Sequence, residues 1–219
     1  MFIEDDQGNH LLIDPCVDLR QQFLRENIAD VRDILVTHLH ADHIFGLNEV
    51  RIFNKKYNHA TNLYLEQGFN CEIREVFRYI YNPPDQIGGG LPQVNNVIIK
   101  PGKTFEIADF KITPFRVFHG RLPITGFRIN NIAYITDSSV IPEESYQYLE
   151  QLDVLVLNAL RERKHPTHFS ISESVEQAQK IGAKQTLFTH IDHDLEHEKT
   201  NSSLPKNIQL AYDGQVIIV

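Results

Sequence analysis

Thr37-His38-Leu39-His40-Ala41-Asp42-His43 follows directly on the apolar run Ile34-Leu35-Val36. Three imidazoles and a carboxylate fall close together there, and packing gives no reason for them. Imidazole nitrogen and carboxylate oxygen are the ligands that suit zinc and its first-row neighbours. In extended backbone His38 and His40 point the same way, because side chains alternate. A turn into a helix then swings Asp42 and His43 back toward the same point. So short a loop does not easily give all four side chains to one ion. Two adjacent ions divide them, with His38 and His40 on one and Asp42 and His43 on the other. The competing reading is a polar loop that is merely rich in histidine.

A metal pair needs more ligands, and three residues offer themselves at the ends of apolar runs. His119 closes Phe115-Arg116-Val117-Phe118, Asp137 closes Ile132 to Thr136, and His190 closes Thr186 to Thr189. Strands that deliver their last residue into a loop are a common way to place functional groups.

His-x-His-x-Asp-His followed by a distant His, Asp and His resembles the metallo-β-lactamase superfamily of binuclear metallohydrolases. Asp18 to Gln22, Gly46 to Arg51, Ile135-Thr136-Asp137, His165-Pro166-Thr167-His168-Phe169-Ser170 and Thr189 to His193 resemble one branch, the PhnP-like cyclic-phosphate phosphodiesterases. That branch is itself similar to the tRNA 3′-processing endonucleases. The resemblance runs from about Leu11 to the C-terminus. It implies an αββα four-layer sandwich of two mixed sheets flanked by helices, formed by residues 1–219 as one domain.

The resemblance and the donor chemistry together assign His38, His40 and His119 to one ion and Asp42, His43 and His190 to the other. Asp137 bridges, since a carboxylate can give an oxygen to each metal and a histidine has a single free lone pair. Two zinc or manganese ions about 3.5–4 Å apart would lower the pKa of a shared water toward ~7, supplying hydroxide for in-line attack on phosphorus. The leaving oxygen then needs a proton, a step worth ~10²–10⁴-fold in rate. The resemblance places His168 opposite the metals for that role, so Asp42 and His168 are the residues expected to act in the reaction. The alternative for His168 is a loop histidine at a helix entrance. Asp14 and Asp18 are either supports of the metal loop, as the resemblance implies for this position, or caps. His165 and His193 read as supporting residues, His10, His59 and His197 as surface ones. Arg161, Arg163 and Lys164 suit either a phosphate or a solvated cluster.

Composition bounds the partners. The chain of 219 residues is 42% hydrophobic and 23% charged, that of an ordinary globular domain with one substantial core. No apolar run approaches the ~20 residues of a membrane span, and no signal segment opens it. Cys16 and Cys71 are too few for a disulfide framework, which points to a reducing cytoplasm. A net charge of −8 argues against bulk attraction to nucleic acid and leaves a small phosphate ester as the favoured substrate. The alternatives are an RNA-processing endonuclease, a thiolester or lactam hydrolase of the same superfamily, and a catalytically silent metal-binding scaffold.

The elements that must position these residues follow from periodicity and turn chemistry. Helices are expected over 18–28, 44–52, 71–81 and 143–150, with a capping box, Ser170 and Glu173, opening another that Gly182 closes. Strands are expected over 10–14, 62–65, 97–100, 104–107, 110–118, 126–128, 132–136, 153–157, 186–189 and 216–219. Ala108-Asp109 and Asn130-Asn131 suit hairpin turns. Pro83-Pro84 and Gly88-Gly89-Gly90 break the chain inside 54–96, which reads as an insertion, either a lid or substrate wall or a plain connection. Relatives usually begin with another strand and often a cysteine-rich knuckle. Without that strand the sheet edge would be bare, a place for a homodimer to form.

Overall fold

The computed structural model describes residues 1–83, 85 and 90–219. The chain divides into two compact units, Met1–Lys100 and Pro101–Val219. Each carries one mixed sheet with its own helices, consistent with the αββα class.

The first unit orders its strands β1-β2-β3-β4-β5: β1 Phe2–Glu4, β2 His10–Ile13, β3 Asp33–Leu35, β4 Thr61–Glu66 and β5 Val94–Ile99. β1 runs antiparallel to β2 and the other neighbours are parallel. The expected bare edge is therefore filled. Residues 2–4 fold back through the turn at Asp5–Asn9, whose Asp5 carboxylate takes the backbone N–H groups of Gln7 and Asn9, and pair Phe2 with Leu12. Leu12, Leu19, Phe23, Ile34, Val36, Leu63, Leu65, Phe69 and Ile73 form this unit's core. α1 (Leu19–Arg25) matches its expected amphipathic helix, burying Leu19 and Phe23. The helix expected over 44–52 is instead α2 (Ala41–Ile44), a 3₁₀ turn at Leu47–Glu49, and α3 (Val50–Tyr57). Likewise 71–81 is α4 (Gln67–Val76) and α5 (Arg78–Tyr81), broken at Phe77. Most of 54–96 is framework, since β4 is interior to the sheet and Phe69 and Ile73 of α4 are buried. Pro84, Gly88 and Gly89 of the breaking stretch lie outside the described residues.

The second unit orders its strands β12-β11-β10-β9-β8-β7-β6. They are β6 Phe105–Ile107, β7 Phe110–His119, β8 Leu122–Ile129, β9 Ile132–Ile135, β10 Val154–Asn158, β11 Gln185–Thr189 and β12 Ile208–Leu210. β6 to β9 are an antiparallel meander whose turns fall at Ala108-Asp109, Gly120-Arg121 and Asn130-Asn131, with Ala108 and Asn130 at positive φ. β9 to β12 are parallel. β10 is buried at every position, as an interior parallel strand should be. β8 is longer than 126–128 because Gly126 stands opposite Phe115, where a Cβ would come within 2.5 Å of the ring. α6 (Ile171–Ile181) has the full capping box, with Ser170 and Glu173 bonded reciprocally, and ends on Gly182 at φ 70.

Other elements of this unit also differ from the sequence reading. Residues 216–219 form no strand, and Val216, Ile218 and Val219 are exposed. The sheet ends instead on β12, which pairs with β11 and follows α7 (His197–Ser203). Residues 143–148 form a 3₁₀ helix rather than an α-helix. Among the described residues, no helix is long and apolar enough to cross a membrane.

Candidate functional site

In the first unit the motif leaves the end of β3 and turns into α2, as the spacing demands. His38 and His43 are buried, and the His38 ring centroid lies 4.5 Å from that of His40 and 4.2 Å from that of His43. Asp42 Oδ2 is 3.4 Å from His43 Nε2.

Asp14, at the end of β2, organises this cluster. Its Oδ1 accepts the Thr37 backbone N–H at 2.8 Å, and its Oδ2 accepts the Thr37 hydroxyl at 2.7 Å and His43 Nδ1 at 2.8 Å. A carboxylate here only accepts, so a neutral His43 carries its hydrogen on Nδ1 and keeps Nε2 as a lone pair. Thr37 spends its one hydroxyl hydrogen on Asp14, so its Oγ1 accepts from His38 Nδ1 at 3.0 Å. His38 Nε2 is then a lone pair as well. One buried carboxylate thus fixes the tautomers of two candidate ligands, the arrangement that metal-bound histidines need. Gly46 keeps the loop against this point. Its N–H donates to Pro15 O at 2.9 Å, and a Cβ there would come within 1.9 Å of Cys16 O.

In the second unit the ends of β7, β9 and β11 deliver His119, Asp137 and His190. His190 Nε2 is 3.2 Å from Asp137 Oδ1. His119, Asp137 and His168 each offer a ligand atom, and these lie within 4.8 Å of one another. His119 Nδ1 donates to the Thr167 carbonyl at 2.8 Å, which again leaves Nε2 as the lone pair. The Thr136 hydroxyl donates to Asp137 Oδ1 at 2.6 Å. Nitrogen and oxygen donors oriented in this way fit a first-row divalent ion.

Asp14, Asp137 and His190 share a further property: φ values of 55°, 52° and 56°. Left-handed backbone costs a non-glycine residue about 1 kcal/mol or more, and such strain gathers at functional sites.

His168 is 8% exposed, and its Nδ1 has no hydrogen-bonding partner among the described residues. Its ring centroid lies 4.5 Å from His119, 4.9 Å from His190 and 4.9 Å from His165. Burial lowers its pKa to about 4, with His190, His119 and His165 adding to the shift and Asp137 opposing it. The ring is therefore neutral at pH 7. His165 supports the loop, taking the Thr167 N–H on Nδ1 at 3.3 Å, and burial lowers its pKa too. His193 points into solvent and pairs with Asp192 at 2.6 Å. His59 is largely buried and bonded to Asp30 at 2.9 Å, not a free surface residue. Arg163 pairs with Asp194 and Lys164 with Glu173, so these cations fit a solvated cluster. Sequence reasoning missed Asn158, whose side chain is buried against Ser138. It does end an apolar run, the same signal that marked His119 and His190.

Residues 9–191 match the family model described as the beta-lactamase superfamily domain. A crystal structure of a new diphosphatase from the PhnP family is 41% identical, with a TM-score of 0.88, covering 98% of this chain and 81% of that one. An octanoyltransferase of Porphyromonas gingivalis is 33% identical over 223 residues, 100% of this chain and 44% of that protein. A ribonuclease Z of Picosynechococcus sp. is 27% identical over 151 residues, 64% of this chain and 45% of that protein. The chain spans less than half the length of these two curated relatives. A match over most of its length, and 41% identity along nearly all of it, place the chain in the metallo-β-lactamase superfamily and, within that, in the PhnP family.

Proposed function

We propose that this chain is a binuclear-metal-dependent hydrolase of small phosphate compounds, cyclic or nucleotide-like phosphodiesters first, with His38, His40 and His119 on one ion, Asp42, His43 and His190 on the other, and Asp137 between them. The observation that carries this reading is the trio His119, Asp137 and His168, whose ligand atoms lie within 4.8 Å of one another; with the seven residues above on the ions, His168 is left for the reaction. Bound, the ions supply Lewis acidity toward the phosphoryl oxygens and a more acidic water. Thr37 and Asp14 keep the nitrogens of His38 and His43 presented. His168 handles the leaving group's proton. Its ring is neutral in the free protein, and an anionic phosphoryl group beside it favours the protonated form. It then takes up a proton and gives it to the departing oxygen.

The relative described as a diphosphatase extends the substrate class to phosphoanhydrides. A second reading, RNA 3′-end processing, draws support from the ribonuclease Z match. The net charge of −8 weighs against it. Chelated and metal-reloaded protein should be tested on bis-p-nitrophenyl phosphate, a cyclic ribose phosphate, a nucleoside diphosphate, an octanoyl thiolester and a tRNA precursor. Metal-dependent turnover of the small phosphates is expected, with zinc or manganese. Turnover of the thiolester alone would overturn the proposal, and turnover of tRNA alone would favour the second reading.

A further inference from the structure

We propose that Asn158 is a positioning residue that sets the separation between Asp137 and His168. This rests on the reading of those two as metal ligand and proton donor. Asn158 ends β10 with no solvent exposure. Its Oδ1 accepts the Ser138 N–H at 2.8 Å and its Nδ2 donates to the Ser138 carbonyl at 3.0 Å. The side-chain amide therefore grips one residue at both ends, as a neighbouring strand would. Ser138 directly follows Asp137, whose φ of 52° takes the chain out of the β9 ladder.

The same Ser138 carbonyl accepts a second bond, from the Phe169 N–H at 2.8 Å, and Phe169 directly follows His168. Ser138 is thus the chain neighbour of Asp137 and, through its carbonyl, hydrogen-bonded to Phe169, the chain neighbour of His168. Asn158 also holds the far side of the His168 loop. Its main-chain carbonyl accepts the Ser174 hydroxyl of α6 at 2.7 Å, and Ser170, the N-cap of that helix, is two residues beyond His168. A buried amide is costly unless bonded, and an apolar residue would continue Val154–Leu157 just as well for packing. What an apolar residue does not supply is the two-point grip on Ser138.

The test separates positioning from stability by the leaving group. p-Nitrophenolate departs without a proton, whereas phenolate gains from one, so p-nitrophenyl and phenyl esters of the same nucleoside phosphate report on proton donation. Asn158→Asp keeps an acceptor for the Ser138 N–H and loses the donor to its carbonyl. It is expected to slow the phenyl ester about tenfold more than the p-nitrophenyl ester, with metal content by mass spectrometry close to the parent's; the buried carboxylate facing the Ser138 carbonyl lowers the melting temperature, which bears on both esters alike. Ser174→Ala removes one bond to Asn158 and should show the same bias, about two- to threefold, even if Asn158→Asp does not fold. His168→Ala is the control. If it slows both esters equally, the proton-donor reading itself fails. If it discriminates between the esters while the folded Asn158 and Ser174 variants slow both alike or neither, the positioning role is overturned.

Discussion

Asp14 is where a single substitution should say most about the metal loop. Its carboxylate is 5% exposed and takes three hydrogen bonds, two from Thr37 and one from His43. Bonds to a charged group contribute about 1.5–3 kcal/mol each, and a donor left buried without a partner costs about 1–3 kcal/mol. Asp14→Ala strands three donors at once and should destabilise the protein by about 4 kcal/mol, the upper end for point changes. Asp14→Asn is the sharper probe, because it keeps the volume. Oδ2 serves both the Thr37 hydroxyl and His43 Nδ1, so an amide nitrogen in its place would face two donors, and an amide oxygen there would face Thr37 N–H with a donor instead. In the first orientation His43 and His38 both lose the bond that fixes their tautomer; in the second the new amide N–H is driven against the Thr37 N–H and pushes the loop that carries both. Supports of this kind are worth about 10–100-fold in metal affinity, and dependence of two ligands on one oxygen puts the loss near 100-fold. Thr37→Val cuts only the His38 branch and should lose about tenfold. Zinc competition against a chromogenic chelator gives the affinities, and urea denaturation of the metal-free protein gives the stabilities. An Asp14→Asn variant that binds zinc within about twofold of the parent would refute the tautomer argument. So would a Thr37→Val loss as large as that of Asp14→Asn.

Further tests bear on other parts of the molecule. Ser170→Ala removes the capping box of α6 and should cost about 1 kcal/mol, a fall of about 2–4 °C in melting temperature for a chain this size. Gly46→Ala should misfold or lose its metals, since the new Cβ meets the Cys16 carbonyl at 1.9 Å and both partners are backbone; a variant with parental zinc affinity and melting temperature would contradict the packing. Burial depresses the pKa of His168 from 6.5 to about 4, so between those values the unfolded chain binds more protons than the folded one. Stability of the metal-free protein should therefore rise with pH across that window and fall again on acidification, by up to about 3 kcal/mol from this group. His168→Gln should flatten that part of the curve in urea titrations at pH 5 and pH 7. Adding zinc to metal-free protein at 100 times its Kd should stabilise it by about 2.7 kcal/mol, read as a rise in melting temperature; an unchanged value would count against a site formed in the folded state.

The candidate ligand residues were legible because each breaks a pattern. His119, Asp137 and His190 are polar groups at the ends of apolar runs, and the His38 to His43 cluster is too dense for a surface loop. Hairpin turns were legible for a related reason: Ala108 and Asn130 occupy left-handed backbone in two-residue turns, and the flanking residues alternate. The limits of β8 and of the helix expected over 44–52 were not, because they depend on long-range contact. Gly126 reads as the start of a strand until it is seen opposite Phe115, whose ring fills the space that a Cβ would take. Gly46 reads as part of one continuous helix until Pro15 and Cys16 are seen to press on it. The tail over 216–219 has strand composition, but β12 already takes the edge of β11, and composition does not say which of two segments does so.

Asn158 marks a different limit. At the end of Val154–Leu157 it carries the same signal as the candidate ligands, a polar residue after an apolar run, yet its amide is taken up by the main-chain N–H and C=O of Ser138. Residue type separates the cases only in part. Histidine and aspartate have lone pairs suited to a cation, while an asparagine amide has one donor face and one acceptor face, the complement of a peptide bond. Each of the two kinds of strand end then has a distinct task. Asp14, Asp137 and His190 end strands in left-handed backbone, which aims a side chain at the cost of strain. Asn158 does not appear among the positive-φ residues and accepts the Ser174 hydroxyl on its own carbonyl, so it is held on both sides and can hold Ser138 in turn. If aim and anchorage are separate tasks, changing Asp137 should abolish metal binding at its ion pair, whereas changing Asn158 should leave metal bound and alter how well the proton reaches the leaving group.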